Sequence, residues 1–149
     1  MRRRPVSTDW RIFVNEARLD TRRKILAFTA VVEAGTALAL MIDPSIVARL
    51  LLGAELADVE TVLGRCFGIT LLALALACWP GRQRGDGASP AVRGMSTYNA
   101  LIALYLAWLS IVGHRGGLLL WPAVALHAVV ALLLVWTWRN ERERPVTEP

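Results

Sequence analysis

The chain has 149 residues, 55% of them hydrophobic, and 17 Lys and Arg against 12 Asp and Glu give a net charge of +5. Four apolar runs, each close to the roughly 20 residues a bilayer-crossing helix needs, occupy too much of so short a chain for a soluble domain, whose helices would carry polar stripes at helical period. The cations cluster beside these runs, where membrane topology requires them, which argues against nucleic acid as a partner.

Residues 1–24 form a basic segment with Arg2, Arg3, Arg4, Arg11, Arg18, Arg22, Arg23 and Lys24. Within it Trp10, Phe13, Val14 and Ala17 fall at i, i+3, i+4 and i+7, which predicts a short amphipathic helix capped by Asp9. Such a helix lies on the inner leaflet or packs on a partner subunit. Arg2 to Arg4 and Ala37-Leu38-Ala39 imitate a signal peptide and its cleavage site, but the long polar stretch between them argues against one.

Span one is predicted from Ile25 to Ile42. The segment after it, from Pro44 to Leu56, is apolar but too short to cross, so it reads as an interfacial helix or re-entrant turn ending near Gly53. Span two follows from Thr61 to Trp79, and the loop from Pro80 to Pro90 is rich in Gly, Pro and charge. Spans three and four run from Met95 to Gly113 and from Leu118 to Trp138, and residues 139–149 form a charged tail. The expected fold is an all-α, four-transmembrane-helix bundle over residues 25–138.

Lys and Arg set its orientation. Besides the amino-terminal eight, Arg82, Arg84 and Arg93 lie between spans two and three, and Arg139, Arg142 and Arg144 follow span four. The opposite loops hold only Arg49 and Arg115, so both termini are expected in the cytoplasm of a bacterial cell, with the bundle in its inner membrane.

Each span carries one interior group that hydrocarbon does not accept freely: Glu33, Arg65, Asn99 and His127. Groups of this kind turn away from lipid and find partners, so the four predict a shared polar cluster. Small residues flank them, as Ala30 and Ala37, Gly64 and Gly68, Ala103 and Ala107, and Ala123 and Ala131. Such stripes let helices approach, and Gly64 with Gly68 makes a small-xxx-small packing motif.

Glu33 and Arg65 are the expected pair, as an ion bridge that fixes helix register or as a titrating or ligand-binding carboxylate beside a cation that tunes it or binds an anionic head; the remaining alternative is that Arg65 snorkels to the outer surface. Depth arithmetic from a rise of about 1.5 Å per residue separates them by roughly 12 Å unless span two begins near Asp58. Asn99 and His127 can bond only if spans three and four are offset. Tyr98 and Tyr105 flank the region as hydrogen-bond donors or interface anchors. A lone His127, with His114 in a loop, gives little basis for metal or haem ligation. Cys66 and Cys78 are about 18 Å apart along one helix, too far for a disulfide, and read as packing residues. No phosphate loop, nucleophile elbow or paired catalytic carboxylates appear, so no catalytic residue is assigned and an enzyme is not the expected class.

Glu33-Ala34-Gly35, Pro44 followed by Leu51-Leu52-Gly53, Gly64-Arg65-Cys66-Phe67-Gly68, and the later Asn99 and His127 together resemble the DoxX-like families of small four-helix bacterial membrane proteins. The resemblance covers about Ile25 to Trp138. It implies a compact inner-membrane bundle and, in some relatives, a subunit beside quinone-linked oxidoreductases. Two functions stay open. One is a non-catalytic accessory subunit or a bundle binding lipid or quinone, its partners being lipid, other membrane subunits or a second copy. The other is a proton-coupled small-molecule exporter working as a homodimer through Glu33, against which a neutralising Arg65 would count.

Overall fold

The computed structural model describes residues 9–80 and 90–142, with side chains for residues 20–80 and 90–139. Among these residues every regular element is helical: α1 (Asp9–Ile42), α2 (Pro44–Leu52), α3 (Asp58–Ala77), α4 (Pro90–Ile111) and α5 (Leu120–Arg142). Four of the five are long and apolar enough to cross a membrane. Arg2 to Arg4, the 81–89 loop segment and the tail beyond Arg142 lie outside the described residues, as do the side chains of Trp10, Phe13, Val14 and Ala17.

Helix α1 corrects the expected separate amphipathic helix. It runs unbroken for 34 residues, because neither Gly nor Pro occurs between Asp9 and Ala34 to interrupt it. At about 1.5 Å per residue it is roughly 50 Å long, well beyond a hydrocarbon core of about 30 Å, so the basic segment from Asp9 to Lys24 is nearly the first half of the same rod. On its surface Lys24 pairs with Asp20 one turn earlier at 2.6 Å.

The short helix α2 is defined at both ends by its sequence. The Asp43 carboxylate accepts from the backbone N–H groups of Ser45 and Ile46 at 2.9 and 3.2 Å, and Pro44 occupies a position where a missing N–H costs nothing. Gly53 closes it in the left-handed conformation, φ 66°, donating to the Arg49 carbonyl at 3.0 Å. Two further carbonyls of the last turn receive donors from the α4–α5 connection: Gly117 N–H reaches Leu51 O at 3.2 Å and Leu119 N–H reaches Leu50 O at 2.8 Å. A side chain at Gly117 would collide with the Leu50 carbonyl, so glycine is needed where the two segments meet.

These bonds place the α2 turn and the α4–α5 turn at one end of the molecule. Helix α1 therefore pairs antiparallel with α3, and α4 with α5. A methyl at Gly68 would lie 2.8 Å from the Ala37 carbonyl oxygen and 2.9 Å from Met41 Cγ, so α3 and α1 touch backbone to backbone. One buried cluster, Leu26, Cys78, Val92, Met95, Val130 and Leu134, draws on α1, α4, α5 and the residue that caps α3, and Ala37, Leu40 and Leu71 form a second. Outward faces are apolar too, with Ile42, Val59, Leu104 and Leu132 all more than two-thirds exposed. Soluble monomers do not present apolar surface of that extent.

Candidate functional site

Helices α1, α4 and α5 each bring a polar side chain to one interior point. Glu33 is 2% exposed, flanked on its own helix by the fully buried Ala30 and Ala37, whose small side chains let the neighbouring helices close around it. Tyr98 of α4 donates its hydroxyl hydrogen to Glu33 Oε2 at 3.3 Å. His127 of α5 places Nδ1 2.8 Å from Asn99 Oδ1 and 3.8 Å from Glu33 Oε1, the latter beyond hydrogen-bond range. Asn99, 1% exposed, donates from Nδ2 to the Met95 carbonyl one turn back at 2.8 Å. The rings of Tyr98 and His127 meet edge to face with centroids 6.0 Å apart.

Chemistry assigns the protons in this network. A carbonyl only accepts, so the bond to Met95 O fixes the amide nitrogen of Asn99 on that side and turns its oxygen toward the imidazole. The imidazole must then carry hydrogen on Nδ1. Tyr98 meets one carboxyl oxygen with a donor, and the Nδ1–H lies beside the other. A buried charge without a partner would cost several kcal/mol in desolvation, so Glu33 depends on the Tyr98 hydroxyl for its place in the core.

A crevice of about 10 Å³, room for about one water molecule, opens between α1 and α5 at this point. Its lining combines Thr29, Glu33, Asn99 and His127 with the apolar Phe28, Val32, Leu126 and Val130. Phe28 is 55% exposed and Leu126 36%, so the mouth faces the outer surface of the bundle rather than either end.

Arg65 is not part of this cluster. Helix α3 does begin at Asp58, the condition that the depth arithmetic sets for contact with Glu33, yet Arg65 is exposed and no ion pair joins it to Glu33. The antiparallel register explains the outcome: with Gly68 opposite Ala37 to Met41, Glu33 lies level with the Leu74 region, and Arg65 remains on the order of 13 Å away along the axis. Gly64 and Gly68, by contrast, do pack as close-contact residues, Gly64 against Pro44 and Gly68 against Ala37. Asn99 and His127 lie level and bond directly.

Tyr98 is the member that sequence reasoning leaves as one of two flanking tyrosines. Its neighbour Asn99 is the only signal for it, since a hydroxyl on an aromatic residue is equally at home at an interface. Tyr105 instead stacks on Trp108 at the surface, ring centroids 6.0 Å apart. Cys66 is exposed, and Cys78 is buried with its thiol donating to the Ala91 carbonyl at 3.7 Å. No family model, curated protein or solved structure matches this chain.

Proposed function

We propose that the chain is a multi-pass protein of the bacterial inner membrane, both termini in the cytoplasm, that holds the polar head of a lipid or quinone at the Glu33–Tyr98–Asn99–His127 cluster. The observation that carries this reading is the lateral crevice. Polar groups from three helices converge at the bottom of an opening whose rim is Phe28 and Leu126, so an apolar molecule in the surrounding lipid reaches them without crossing water. Ligand sites of this kind are apolar with a few convergent polar groups. The resemblance to DoxX-like proteins fits the same reading and adds an accessory role beside a larger membrane complex, for which the apolar outer faces of α3 and α4 offer docking area.

The proton-coupled exporter keeps a place as the second reading because of one observation. Arg65 stands away from Glu33, so the carboxyl is not neutralised by a cation and stays open to exchange of a proton against cargo.

Native mass spectrometry of protein extracted from membranes tests the primary reading. The wild type is expected to carry a bound lipid or quinone, and Leu126→Trp, which fills the mouth, to lose most of it while retaining helical content by circular dichroism. A ligand-free wild type, or equal occupancy in Leu126→Trp, would contradict it. Proton-driven uptake into vesicles that disappears in Glu33→Gln would favour the exporter.

A further inference from the structure

Hydrogen-bond accounting in the crevice specifies what head group it accepts. Thr29 gives its hydroxyl hydrogen to the Ile25 carbonyl at 2.8 Å, Tyr98 gives its own to Glu33, and the Nδ1–H of His127 goes to Asn99. One hydrogen of the Asn99 amide is committed to Met95. With the Glu33 carboxyl ionised, the lining has a single uncommitted donor hydrogen, the second on Asn99 Nδ2. Acceptors remain in excess: Glu33 Oε1, whose nearest partner is 3.8 Å away, the Nε2 lone pair of His127, and the lone pairs of Thr29 Oγ1.

We infer that the crevice, with Glu33 ionised, takes the hydroxyl head of an otherwise apolar molecule in preference to a carbonyl head on the same chain. A hydroxyl supplies both of the things the lining lacks, a proton for an acceptor and an oxygen for the spare Asn99 hydrogen. A ketone brings only an acceptor, which leaves the carboxyl oxygen and Nε2 unmet. Size agrees, since space for about one water suits a hydroxyl, while the hydrocarbon body follows Phe28, Val32, Leu126 and Val130 out to the surface. In a quinol and quinone pair the site would thus select the reduced form. This rests on the lipid or quinone reading and sharpens it to a head-group class.

The test uses full-length protein with ¹⁵N-labelled histidine and His114→Gln, reconstituted in phosphatidylcholine nanodiscs, so that His127 gives the only imidazole signals. Without added ligand, Nδ1 is expected protonated and Nε2 bare. Titration with 1-decanol is expected to shift the Nε2 resonance saturably, at a concentration at least tenfold below any effect of 2-decanone. Leu126→Trp, or Phe28→Trp should the first variant fold poorly, is expected to abolish the shift. A proton on Nε2 in the free protein, or a response to 2-decanone as strong as to 1-decanol, would overturn the head-group rule. Were native mass spectrometry to find a bound lipid while neither probe moved Nε2, this inference would fall and the lipid-binding reading would stand; with neither signal, both would fall.

Discussion

Helix α1 has two working faces, and they solve different problems. Toward α3 it presents Ala37, Leu40 and Met41 to Gly68 in a dry contact close enough that backbone meets side chain. Toward α4 and α5 it presents Glu33 to Tyr98 and His127, a looser junction with a crevice beside it. The first face holds the hairpin together by shape alone. The second joins the two hairpins through the Tyr98–Glu33 hydrogen bond, and leaves acceptors free for chemistry. Small residues thus mark where helices touch, but only the polar residues that find partners mark where a ligand could be recognised.

The largest expected effect comes from the dry face. Gly68→Ala would press a methyl against the Ala37 carbonyl and Met41, and a contact that tight is expected to cost about 1–3 kcal/mol, read as a lower unfolding midpoint in detergent. Should Gly68→Ala be neutral, the two faces would not differ in the way described. A smaller and opposite change is expected at Gly35, on the same helix, where an added methyl meets nothing within 4 Å. Gly35→Ala is expected to stabilise by about 0.5–1 kcal/mol through helix propensity, and a loss of stability in the same assay would show that α1 is packed there.

Legibility in the sequence divides along the same line. Apolar run length places the long helices to within a few residues, because crossing length and backbone satisfaction leave little freedom. Pro44 and Gly53 likewise punctuate α2, since each acts through its own backbone. What single-chain patterns do not contain is the rotation and register of one helix against another. Glu33 and Arg65 are each correctly recognisable as polar groups in apolar runs, yet the α1–α3 register and the rotation of α3 send one inward and the other out. Asn99 and His127 show the reverse, two groups whose apparent offset vanishes once α4 and α5 are set side by side. The continuity of α1 is open to reading from the absence of Gly and Pro between Asp9 and Ala34; amphipathic spacing at its start obscures that.

The central claim is that Glu33 belongs with Tyr98 and His127 and not with Arg65. Double-mutant cycles on unfolding free energy measure it directly, pairing Glu33→Gln once with Tyr98→Phe and once with Arg65→Ala. A coupling of roughly 0.5–1.7 kcal/mol is predicted for the tyrosine cycle, the range for hydrogen bonds between membrane helices, and none beyond error for the arginine cycle, with Arg65→Ala alone within about 0.5 kcal/mol of wild type. Strong coupling of Glu33 to Arg65 with none to Tyr98 would contradict the account.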